Sequence, residues 1–114
     1  MHMNTEVLKG HLDMLLLAIL RSRSAHGYAI IEELRRRSAG TFDLPEGTVY
    51  PALHRLERAG LITSRWSEET GRRRRVYELT QRGLSALEKS RREWQQFELG
   101  INTVLQEGTQ PWPA

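Results

Sequence analysis

Residues 45–62, PEGTVYPALHRLERAGLI, narrow the folds open to this chain more than any other stretch. From Val49 the apolar residues Ala52, Leu53, Leu56 and Ala59 share one face of a 3.6-residue helix. Gly60 ends it: without a β-carbon it can take the left-handed conformation in which a helix closes its last carbonyls, and Leu61-Ile62 return to the core. The opposite face carries Gly47, Thr48, Pro51, His54, Arg55 and Arg58, flanked by Tyr50 and Glu57. A merely solvated face would carry Glu/Lys pairs. Here the first turn is small or hydroxyl-bearing and the later turns are cationic, which suits close approach to base edges and longer reach to phosphates. Pro51 has no N–H and would leave the Gly47 carbonyl unpaired, so Thr48 is expected to cap the regular helix and put Pro51 in its first turn.

Two β-compatible runs follow, 62–66 and 73–79, joined by SEETGR with a tight turn expected at Thr70-Gly71. Arg72, Arg73, Arg74 and Arg75 stand at the mouth of this hairpin, where alternation sends their side chains to both faces. A charge run alone is usually a solvated loop. Directly after a recognition-type helix it is a phosphate-binding wing, and the arrangement is a winged helix-turn-helix. The fold class is mostly α with a small β-hairpin (α+β).

Residues 81–106 contain no proline, and Thr80 precedes them as an N-cap. At 1.5 Å per residue such a helix is about 39 Å long, more than a domain of about eighty residues covers. Leu84, Leu87, Trp94, Ile101 and Leu105 follow an approximate heptad, with Phe97 and Val104 beside them. Trp and Phe on a protruding helix require a partner surface, and a second copy of the chain supplies one. The expected organisation is a DNA-binding domain over 1–80, a dimerisation helix over 81–106 and a disordered tail over 107–114, with Trp112 in the tail uninformative.

Upstream, Leu8, Leu12, Leu15, Leu16, Ile19 and Leu20 predict a first helix over 6–21, with Met14 and Leu17 on a second face, so that the helix either lies deep in a core, of which so small a domain has little, or touches a partner as well as its own domain. A second helix is expected over 26–37, capped by Ser24, with Tyr28, Ile31 and Leu34 inward and Glu32 and Glu33 four residues ahead of Arg36 and Arg37. His26-Gly27-Tyr28 reads as a structural first turn rather than a site. The formal charge is only +3, concentrated at 35–37, Arg55 with Arg58, and 72–75. There is no cysteine, and the four histidines have no metal-ligand spacing. No nucleophile–base motif or glycine-rich phosphate loop is present, so the reading is of a non-enzyme without cofactor or metal. The apolar run 14–20 is too short to span a membrane and the start lacks a signal peptide's pattern, so a cytoplasmic protein is expected.

These segments resemble the PadR family of transcriptional regulators, in its short type with a single C-terminal dimerisation helix. The resemblance rests on LKGHLDMLLLAIL, HGYAIIEEL, PEGTVYPALHRLERAGLI, GRRRRVYELTQRG and the EW and Phe97 of the last helix, spanning about residues 8–105. It implies a dimeric repressor that binds double-stranded DNA with an inverted-repeat operator and releases it to a small aromatic or hydrophobic effector. Thr48, Tyr50, Pro51, His54, Arg55 and Arg72 to Arg75 would then contact DNA. Leu8, Leu12, Leu15, Leu87, Trp94, Phe97, Ile101 and Leu105 would form the dimer surface, and Trp94 with Phe97 an effector site, unless the two indoles simply fill the interface. A protein-interaction module or a ligand-sequestering protein are the alternatives.

Overall fold

The computed structural model describes residues 8, 10–69, 71–106 and 111–113. In order these form α1 (Leu12–Ser22), β1 (Ala25–His26), α2 (Gly27–Arg37), α3 (Glu46–Arg58), β2 (Ile62–Ser67), β3 (Arg74–Leu79) and α4 (Gln81–Gln106). The three strands make an antiparallel sheet in the order β1-β3-β2.

One core holds the domain together. Leu16, Leu17 and Leu20 of α1, Ile30 and Leu34 of α2, Val49, Leu53 and Leu56 of α3, Ile62, Tyr77 and Leu87 are all buried, and a side chain of this size contributes about 1.5–3 kcal/mol when fully buried. Leu8 (2% exposed) and Leu87 (1% exposed) belong to the chain's own interior. This corrects their expected place in the dimer surface, because neither has side-chain area left to offer a partner. Leu12 and Leu15 are half-buried against the same core.

α1 begins at Leu12, and Leu8 is also helical; the expected start near residue 6 lies outside the described residues. Gly10 has φ of 93°, and that left-handed residue interrupts any continuous helix from upstream. The second helix starts at Gly27, and its cap is His26, whose Nδ1 accepts from the Ala29 amide at 3.3 Å, rather than Ser24. Tyr28 points outward, 58% exposed, because the inward positions of α2 are taken by Ile30, Ile31 and Leu34. Glu33 pairs with both Arg36 (2.7 Å) and Arg37 (2.9 Å), while Glu32 pairs with Arg35 (2.8 Å) rather than Arg36. The two arginines hold the Glu33 carboxyl at about 2, well below its ordinary value. The Arg35–Arg37 run is thus largely matched within its own helix.

Both helices of the helix-turn-helix close by the same motif. At the end of α3 the Leu61 amide donates to the Leu56 carbonyl and the Gly60 amide to that of Glu57, with Gly60 at φ 78°. At the end of α2 the Gly40 amide donates to the Arg35 carbonyl and the Ala39 amide to that of Arg36, so Ala39 takes the left-handed position at φ 51°.

The long helix matches its sequence boundaries. The Thr80 hydroxyl accepts from the Gly83 amide at 3.0 Å and donates to the Gly60 carbonyl at 2.8 Å, capping α4 and fastening it to the end of α3. Gly83 permits the approach: a β-carbon there would stand 2.0 Å from the Leu61 carbonyl oxygen. Beyond Ser90 every residue of α4 is exposed, as are Pro111–Pro113, which have no regular structure.

Candidate nucleic-acid interface

Recognition begins with the start of α3. The regular helix opens at Glu46 with Pro45 as the N-cap residue, whose carbonyl accepts from the Thr48 and Val49 amides at 3.0 and 3.2 Å. The expected cap at Thr48 is therefore wrong by one turn, and Pro51 lies inside the helix. Pro45 explains the earlier start: its fixed φ (−77°) and extended ψ supply the entry geometry without a side-chain cap. The proline at 51 then removes the donor for the Gly47 carbonyl, at a position where Gly47 and Pro51 are both exposed and water can take the bond. The outward face carries Glu46, Gly47, Pro51, His54, Arg55 and Arg58, with Thr48 and Tyr50 half-buried.

Tyr50 is seated against α2. A β-carbon on Gly27 would lie 2.5 Å from the Tyr50 Cζ and Oη, so only glycine lets the phenol lie across the start of that helix. Burial, then the nearby Glu46 carboxylate, raises the Tyr50 pKa above its ordinary value. The structural reading of His26-Gly27-Tyr28 is supported, since the first two residues cap the helix and admit Tyr50. The same residues, with Tyr50 and Arg72 to Arg75, line a cleft of about 490 Å³ between the helix-turn-helix and the wing.

The wing's register sorts its arginines. Trp66 stands opposite Arg75 and Ser67 opposite Arg74. Arg73 and Arg75 lie over the Trp66 ring, 4.4 and 5.2 Å from its centroid, on one side of the hairpin. Arg74 is half-buried on the other side, its Nη1 2.8 Å from the His26 Nε2. The Gly71 amide donates to the Glu68 carbonyl at 3.0 Å, closing the turn; Thr70 lies outside the described residues.

The chain matches the PadR-like transcriptional regulator family over residues 16–89. It belongs to this family. Over 67 residues it is 43% identical to a transcriptional regulator of Mycobacterium tuberculosis, a match covering 59% of this chain and 60% of that one. A solved transcriptional regulator from Clostridium thermocellum is similar at a TM-score of 0.80 and 32% identity, covering 86% of this chain and 96% of its own. A PadR family transcription regulator from Clostridium difficile is similar at 0.76 and 38%, covering 84% and 99%. This PadR-like chain is accordingly a DNA-binding transcriptional regulator and not an enzyme. No group of three or more His, Cys, Asp or Glu that could hold a metal occurs among the described residues, and none of their helices is long and apolar enough to cross a membrane.

Within the PadR-like scaffold, the nine residues expected at the interface do not present themselves alike. Tyr50 and Arg72 to Arg75 share the cleft, and Pro51 and His54 are exposed on α3. Arg55 is exposed but engaged by Asp13 at the start of α1. His26, Gly27 and Tyr28 line the same cleft in their structural role and Trp66 stacks with two wing arginines, and none of the four was in the set expected from the sequence. Only strand register and the packing of α2 on α3 bring them in, although a tryptophan in a run about to pair with alternating arginines was a usable signal.

Proposed function

We propose that two copies pair along the outer half of α4 and act as a repressor on an inverted-repeat operator, released when a small flat aromatic molecule binds beside Trp94. One observation carries this reading: Trp94, Phe97, Ile101, Val104 and Leu105 on the outer turns of α4 are all exposed among the described residues. Contiguous apolar surface of this kind marks an interaction site, and Leu12 and Leu15, half-buried on α1, are the remaining dimer candidates. Paired subunits would offer two α3 helices to half-sites about one helical turn apart, with Thr48, Tyr50, Pro51 and His54 towards bases and Arg55 and the wing arginines towards phosphates.

The effector site draws on Trp94 and Phe97, whose ring centroids are 6.1 Å apart. The His11 ring meets Trp94 edge-on at 5.2 Å, which favours a second reading in which the indoles are packing elements and leave no pocket.

The test joins sedimentation to footprinting on the DNA upstream of the gene. The expected result is a dimer protecting an inverted repeat, converted by Ile101→Asp to a folded monomer with weakened protection, because an aspartate in the paired interface would lack a partner. An unchanged dimer would overturn this interface. Planar dyes that saturably quench tryptophan fluorescence, with the change lost in Trp94→Ala and kept in Trp66 and Trp112 variants, would distinguish a pocket from packed indoles. By linkage the same dyes should lift the footprint.

A further inference from the structure

Three of the wing arginines, Arg73, Arg74 and Arg75, divide into two kinds. Arg74 is half-buried and occupied by His26. Arg75 has its Nε donated to the Ser64 hydroxyl at 2.8 Å, and Ser64 donates in turn to a Glu57 carboxylate oxygen on α3. Arg73 has neither a hydrogen bond nor an ion pair to any described residue, and is held only by its place over Trp66. The Trp66 indole, 52% exposed on the same side of the hairpin as both, is within cation–π distance of each guanidinium group, 4.4 Å for Arg73 and 5.2 Å for Arg75.

We propose that Trp66 is a positioning residue for DNA binding, an aromatic plate that presents Arg73 and Arg75 together as the wing's phosphate-binding pair, while Arg74 is a strut between the wing and α2. The proposal rests on the DNA-binding reading of the wing. An unrestrained arginine loses rotamer freedom when it meets a phosphate, and stacking on an indole removes part of that loss before DNA arrives. The stacked face of a guanidinium leaves its in-plane N–H groups directed outward, the geometry that a phosphate oxygen pair accepts. The Arg75–Ser64–Glu57 chain adds a bond from this pair to the recognition helix, so wing and helix present their contacts as one surface.

The test uses the full chain and a mixed-sequence duplex of about 40 base pairs, long enough for any one-turn spacing of half-sites, with affinity followed by fluorescence anisotropy across a salt series. Trp66→Phe keeps an aromatic face and Trp66→Leu keeps only apolar bulk. Thermal melts establish that each variant is folded. The expected order of affinity is Trp66, then Phe, then Leu, with Leu weaker than wild type by about fivefold, the scale of losing cation–π support for a guanidinium. In an Arg73→Ala/Arg75→Ala background the Leu variant should lose less than about twofold, because no stacked arginine remains to be positioned. Equal affinity of Leu and wild type overturns the proposal. So does an undiminished loss in the double-alanine background, which would give Trp66 a purely structural role or its own DNA contact. Failure of the wild-type chain itself to bind duplex would instead overturn the DNA-binding reading on which the proposal rests.

Discussion

Gly27 lies directly beneath the ring of Tyr50, so near that any β-carbon at position 27 would occupy the space of the phenol. The two residues come from the two helices of the helix-turn-helix, and their contact sets how the recognition helix leans on its neighbour. Gly27→Ala is expected to displace Tyr50 and to cost about 1–3 kcal/mol in stability, the usual scale for overpacking. Adding Tyr50→Ala should recover part of that loss, which urea unfolding of the single and double variants would measure. Equal stabilities for Gly27→Ala and wild type would remove the contact's role.

Asp13 holds Arg55, an arginine on the outward face of the recognition helix. Both side chains are about half exposed, so the pair itself contributes little, on the order of 0.2–1 kcal/mol. Its consequence is for DNA. If α3 meets DNA by its outward face as proposed, Asp13→Asn removes a negative charge from that face and frees Arg55 for a phosphate, so duplex affinity at low salt should rise several-fold, with the slope of log affinity against log salt steeper by about one. A fall in affinity would instead mean that Asp13 orients Arg55 for its contact.

His26 makes stability depend on pH. Burial first, then the Arg74 charge, lowers its pKa below the ordinary 6.5. The Ala29 amide and Arg74 are both donors directed at ring nitrogens, and a neutral imidazole has one accepting nitrogen, which protonation abolishes. Because the folded-state pKa is the lower one, the unfolded chain binds more protons, and the stabilisation present above about 6.5 is lost as pH falls, by at most about 1.4 kcal/mol per pH unit. His26→Asn keeps a capping oxygen and cannot titrate in this range. Urea unfolding at pH 7.5 and 5.5 should show a smaller acid loss for the variant than for wild type; equal losses would assign the pH dependence elsewhere.

Ala39 fills the left-handed position at the end of α2, at φ 51°. An L-residue there is strained by roughly 1–2 kcal/mol, partly offset by the smaller entropy it loses on folding compared with glycine. Ala39→Gly should therefore raise stability by about 0.5–1 kcal/mol in denaturant melts, with no change in duplex binding, since Ala39 is exposed and outside the cleft. A destabilised variant would contradict this account of the turn.

The features set by neighbours in the chain were legible without coordinates. Gly60 stops α3 because a left-handed residue is needed there. Thr80 caps α4 because its hydroxyl reaches an amide three residues on. The four arginines fall at the mouth of the hairpin because turn and strand signals flank them. Each rests on spacing of a few residues, and the heptad-like face of α4 is likewise a periodicity.

What the sequence did not disclose depends on residues that meet only after folding. The two-residue β1 has no periodicity of its own and exists because Ala25 and His26 pair with Tyr77 and Val76 of β3. Leu8 and Leu87 were expected in the dimer surface, but both are buried within the protomer. Gly27 is required by a ring twenty-three positions later, and His26 and Arg74 meet across forty-eight. The sequence alone determined where helices stop and where charge gathers, since both follow from local backbone chemistry and composition. Tertiary structure decided which apolar faces remain open and which arginines remain free, because burial and pairing depend on distances that chain order does not contain.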